Sequence, residues 1–386
     1  MLVIKNGKIN TTNGIIDGDM LIDGGKIIEI SEGIIAPLDA EVVDASGRLI
    51  LPGFIDAHTH IGLFEDGLGE EGADGNEETD PVTPHLNPID GINPMDRSFT
   101  EAYQGGITSV CITPGSANVM GGSCVAIKTF GKRIDKMVIK DPVAEKIAFG
   151  ENPKSCYGSD DKTPQTRMAI AGLLRETLRK AKEYLKDLQE YESDEDGELE
   201  RPEYDIKYEA LIPVLKKEVP IKAHAHRADD IFTAIRIAKE FDLNLTLDHC
   251  TEGHLIVDEL VEENYPTIVG PSLSERSKIE LKNLTFETAG ILSNAGLKVC
   301  LMTDHPVIPL HYLPLCASIA VKHGMKVDKA LEAITINPAE VLGISDRVGS
   351  IEVGKDADLV IWSGSPFEIS SEVIYTIIDG NIVYQK

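Results

Sequence analysis

Basic residues, paired cysteines and long apolar runs are what this sequence has least of. Its 386 residues hold 37 Lys and Arg against 64 Asp and Glu, a formal net charge of −27. No basic patch stands apart from the acidic background, so polyphosphate and anionic lipid surfaces are repelled and neither nucleic acid nor membrane is expected as a partner. No apolar run approaches the roughly 18 residues of a membrane span. No signal-peptide h-region follows the lysine near the start, and a soluble cytoplasmic protein is the expectation. The six cysteines (Cys111, Cys124, Cys156, Cys250, Cys300, Cys316) form no CxxC pair, the pattern of reduced core thiols rather than of a disulfide framework. Glycine-rich GGSCVAIK lacks both GxGxxG and a Walker lysine, so no nucleotide site is assigned to it.

What is present is 42% apolar residues in a chain long enough for one large domain and a smaller one. Both ends alternate in strand fashion with hairpin turns, LVIKNGKIN to EVVDASGRLILPG at one end and KDADLVIW to DGNIVYQK at the other. Neither end closes a sheet alone. The reading is one small β-sandwich from both termini (residues 1–50 plus 348–386) with the rest inserted into it.

Between them, β-branched runs (GFIDAHTH, GITSVCITPG, EKIAFGEN, PIKAHAH, NLTLDHC, PTIVGPS, KVCLMTDHP) alternate with helical stretches. This predicts an α/β fold with parallel strands, a (β/α)₈ TIM barrel over residues 51–347. The third strand falls in either CVAIKTFG or KMVIK. Two acidic segments interrupt the alternation. Residues 61–96 carry ten acids and no Lys or Arg, and residues 187–205 carry ten acids and Arg201. Together they account for 19 of the 27 units of net negative charge, so the rest of the chain is nearly ordinary. The first is expected to overhang the barrel mouth and disfavour polyanionic substrates, the second to be a solvated helix extension.

Polar residues that are costly to bury end several of the strands: His58 and His60, Glu151, His224 and His226, His249, and Asp304 with His305. Period two puts His58 and His60 on one face, and His224 and His226 likewise. In a parallel barrel that face is interior and the C-terminal mouth carries the site. Imidazoles converging there with carboxylates suit Zn²⁺, with Fe²⁺ and Mn²⁺ admitted by the same donors.

GFIDAHTH preceded by Pro-Gly, KAHAHR, LDHC, MTDHP and the closing NPAEVLGISDRVGSIEVGKDADLVIW resemble the amidohydrolase superfamily, in particular its imidazolonepropionase-like members, over essentially the whole chain. The resemblance implies a hydrolase that cleaves a C–N bond of an amide or cyclic amide in a small-molecule substrate with metal-activated water. It further implies that His58, His60 and Asp304 bind the more buried metal, that Asp304 doubles as proton shuttle, and that His224 and His249 are ligands from strands five and six. The fourth strand offers Glu151, favoured because GEN ends the strand, or a carboxylated Lys146, which leaves one or two ions open. His226 holds the oxyanion, orients substrate or supports His224. His305 and Arg276, with Lys278 and His254, are candidates for substrate contact, and His85 for a lid. An assembly larger than a monomer is also implied. Alternative readings are a dipeptidase, an amino-heterocycle deaminase, disfavoured because KAHAHR lacks the glutamate usual there, and a non-catalytic scaffold relative.

Overall fold

A computed structural model describes residues 1–159 and 162–386. Eight strands share the chain's largest apolar cluster with the helices packed on them: β1 (Phe54–Thr59), β2 (Ile107–Ile112), β3 (Met120–Lys128), β4 (Val138–Ala148), β5 (Ile221–Ala225), β6 (Leu245–His249), β7 (Thr267–Val269) and β8 (Val299–Leu301). They pair in chain order. β8 returns to β1 through the Asp56 carboxylate, which accepts from the Thr303 amide at 2.8 Å and its hydroxyl at 2.7 Å, and through His60 N–H donating to His305 O at 2.9 Å.

The strands are not all parallel. β3 runs antiparallel to both β2 and β4, where a helix-linked parallel strand was expected. Only residues 113–119 and 129–137 join it to its neighbours, shorter than the dozen or more residues a parallel crossover requires. Both segments weighed for the third strand are used: CVAIK lies in β3 and VIK opens β4. Outside the barrel the longest helix, Arg167–Glu192, starts with the Thr166 hydroxyl accepting from Ala169 N–H. It buries Ile170, Leu174, Leu178, Ala181, Leu185 and Leu188 at helical spacing, and its last turns run into the second acidic segment, which is largely exposed. No helix among the described residues is long and apolar enough to cross a membrane.

The termini do assemble together, as a single hydrogen-bonded sheet. Residues 2–52 supply five strands and 359–385 three, joined where Leu49–Pro52 pairs with Leu359–Trp362. Ile4, Ile9, Met20, Ile50, Leu359 and Ile377 share its apolar cluster. A buried ion cluster fastens this sheet to the barrel. Lys128, at the end of β3 and 4% exposed, lies 2.6 Å from Asp358, 3.1 Å from Asp356 and 3.3 Å from Asp379, while Lys26 and Arg347 also reach Asp356. The KDAD motif is therefore an anchor. Pro52–Gly53 has a related duty, because a Cβ on Gly53 would fall 2.0 Å from the Thr108 hydroxyl oxygen, so only glycine lets the chain enter β1 against β2.

Candidate metal centre

His58, on β1, hydrogen-bonds through Nδ1 to the buried Asp248 carboxylate of β6. A carboxylate accepts only, so that nitrogen carries the proton and Nε2 keeps its lone pair. His60 Nδ1 donates to Thr113 O at 2.8 Å and His249 Nδ1 to Gly270 O at 2.9 Å, which fixes their Nε2 atoms as acceptors in the same way. Asp304 lies against this group, its Oδ1 3.2 Å from His60 Nε2 and 3.4 Å from His58 Nε2. Donor atoms of His58, His249 and Asp304 fall within 4.8 Å of one another, and so do those of His224, His226 and His249. Burial holds His58, His224 and His249 well below the ordinary imidazole value, with the Lys146 charge adding to the effect, and lowers His226 to about 3. All four rings are neutral donors at pH 7.

The set fits a divalent cation on a direct test. Buried polar atoms are expected to find partners, yet among the described residues both ring nitrogens of His224, His249 Nε2 and Asp304 Oδ1 have no hydrogen bond. The backbone is unusual at the same place: His249 and Asp304 hold φ of +68° and +54°, left-handed values uncommon outside glycine.

Of the two fourth-strand candidates, Lys146 lies beside the cluster. It is 1% exposed on β4, with Nζ 3.2 Å from His58 Nε2 and 3.3 Å from the Thr113 hydroxyl, and burial lowers its pKa. Glu151 does not join the cluster. β4 ends at Ala148, Gly150 turns the chain at φ +85°, and Glu151 opens the helix Glu151–Gly158 half-buried, its amide donating to Glu280 at 2.9 Å.

The surrounding pocket, about 320 Å³, reaches His60, His224, His226, His249 and Asp304. His226 stands in its wall, with Nδ1 2.8 Å from the Thr251 hydroxyl. Three other expectations are corrected. His305 is buried outside the pocket, its Nδ1 accepting from Leu310 N–H at 3.2 Å. Arg276 turns away, donating to Leu284 O at 2.6 Å beside a different cleft. His254 pairs with Thr288 at 3.0 Å, also outside. The loop of residues 61–96 does overhang the mouth, through Phe64 and Asn76, but none of its ten acids and not His85 lines the pocket. Its charge is peripheral to the site.

Residues 49–383 match the amidohydrolase family. The chain belongs to that family. Membership makes it a metal-dependent hydrolase of carbon–nitrogen bonds. A solved amidohydrolase structure from Thermotoga maritima MSB8 is 47% identical, covers all of both chains and has a TM-score of 0.95. The amidohydrolase tasK of Hapsidospora irregularis is 30% identical over 94% of this chain, which spans only 39% of that protein. An imidazolonepropionase of Thermoplasma acidophilum is 23% identical over 95% of this chain and 89% of its own length.

Sequence reasoning missed the layer behind the ligands. Lys222 of β5 is 2.9 Å from Asp248, and Asp56 accepts from His58 N–H at 3.0 Å. Both were open to the same period-two reading, since Lys222 precedes His224 by two residues and Asp56 precedes His58 by two.

Proposed function

We propose that the chain hydrolyses an amide or cyclic amide at a divalent-metal centre, most suitably Zn²⁺, held by His58, His60, His224, His249 and Asp304, with Lys146 as a further ligand once its Nζ is carboxylated, since an ammonium has no lone pair to offer. The convergence of partnerless buried donors from β5, β6 and the loop after β8 on His58 of β1 carries this reading. We assign residues 51–347 to the catalytic barrel and 1–50 plus 348–386 to the sheet that braces it.

A divalent ion held there would supply an activated water at neutral pH and would polarise the scissile carbonyl. Asp304, 13% exposed at the pocket, takes the proton of the attacking water and delivers it to the departing nitrogen. His226 faces the substrate. In the tautomer whose Nδ1 accepts from the Thr251 hydroxyl, Nε2–H is free to donate to the oxyanion. Phe64, with its ring edge-on to His60 at 5.7 Å between centroids, limits water access from the loop side.

Hydrolysis across N-acyl amino acids, dipeptides and cyclic amides is expected to fall to background after chelation and to return on adding Zn²⁺. Turnover that persists in thoroughly chelated protein would overturn the reading.

A further inference from the structure

We propose that the pocket is built for an amide bearing a single carboxylate, bound by Lys278, with the acyl side of the substrate uncharged. This names the substrate class of the site above and rests on that reading.

Lys278 is the one cationic side chain lining the pocket among the described residues. It is also held in place. Its Nζ donates to Asn152 Oδ1 at 2.7 Å, and Asn152 Nδ2 donates to the Ser116 hydroxyl at 2.7 Å. This chain ties the loops after β2 and β7 to the helix after β4, so the cation is positioned before any ligand arrives, which spares ordering entropy on binding.

An ammonium has three N–H donors, and Asn152 is its sole hydrogen-bond partner among the described residues. The nearby acid, Glu280, is 2% exposed and lies behind the pocket wall. Its Oε1 is 3.6 Å from Lys278 Nζ and 3.7 Å from His226 Nε2, without a hydrogen bond to either. Lys278 therefore lines the same pocket as the histidine cluster with donors to spare, and Ser274 and Ser277 flank it in the lining.

The remaining wall has the opposite character. Phe64, Leu281, Pro306 and Val307 line it, and Asp304 is the sole acid in the lining. With Asp304 engaged among the metal donors, nothing is left to pair with an α-ammonium. An N-acyl amino acid or a carboxylated cyclic amide matches this distribution, whereas a free dipeptide leaves its amino terminus unpaired, at the cost of desolvating a charge.

The test separates binding from turnover. The Asp304→Asn protein is titrated calorimetrically with N-acetyl-L-alanine, its carboxamide and glycyl-L-alanine, and with hydantoin-5-acetic acid and its amide. The carboxylate of each pair is expected to bind on the order of 10- to 100-fold tighter than the carboxamide, as a charge-assisted contact should, and N-acetyl-L-alanine tighter than the dipeptide. Adding Lys278→Met abolishes the preference, and Lys278→Arg keeps part of it. Equal affinity within both pairs, a preference that survives Lys278→Met, or no binding by any compound overturns the proposal. Hydrolysis by the wild-type enzyme is scored separately: a carboxylate preference without turnover contradicts the hydrolase reading alone, and turnover without preference contradicts the carboxylate site alone.

Discussion

Replacing Asp304 by Asn is expected to lower kcat by about 10²–10⁴-fold, the range of a lost general acid–base, while the thermal unfolding midpoint stays close to that of the wild type. Asparagine keeps the size of the side chain and can still lie near His58 and His60, 3.4 and 3.2 Å from Oδ1 in the native protein. It cannot carry a proton from water to nitrogen. The residue is already held at a left-handed φ of +54°, a conformation asparagine tolerates, so the backbone has no reason to change. Steady-state kinetics alongside a melting curve decide the matter. Undiminished kcat would remove Asp304 from the proton path and leave only a ligand role.

The second large effect concerns stability. Lys128→Met is expected to cost about 3–5 kcal/mol, the penalty for removing one partner of a buried ion pair, read as a lowered urea midpoint with unchanged slope. Asp358 would lose its only close cation among the described residues, whereas Asp356 would keep Lys26 and Arg347. Burial already raises the Asp358 pKa. Adding Asp358→Asn to the variant should therefore recover part of the loss, since an amide needs no counter-charge. A midpoint within experimental error of the wild type would show that the KDAD anchor is dispensable.

The legible parts of the site were those governed by strand periodicity. His58 and His60, and His224 and His226, share a face because side chains alternate, and that rule needs no knowledge of neighbouring strands. Strand direction is another matter. β3 alternates as a parallel strand would, and only the length of its connections, residues 113–119 and 129–137, betrays the reversal. Glu151 and Lys146 show a similar limit: five residues apart, they are separated in space by the turn at Gly150, and the end of a strand is the least certain feature of a sequence reading. Arg276 and Lys278 both read as candidates for substrate contact, Arg276 the preferred one. Which of two loop residues turns inward depends on partners distant in sequence, Asn152 for Lys278 and Leu284 for Arg276, that periodicity cannot supply. The acidic loop was placed over the mouth correctly, but only its apolar and amide side chains face inward.

The most direct test of the metal centre is the divalent-ion content of the purified protein, measured by elemental analysis after expression in Zn²⁺-supplemented medium, for the wild type, Glu151→Gln and Lys146→Met. The clustered donors predict at least one equivalent per chain in the wild type, the same content in Glu151→Gln and a reduced content in Lys146→Met. A wild-type protein without bound ion, or loss of the ion in Glu151→Gln with full retention in Lys146→Met, would contradict it.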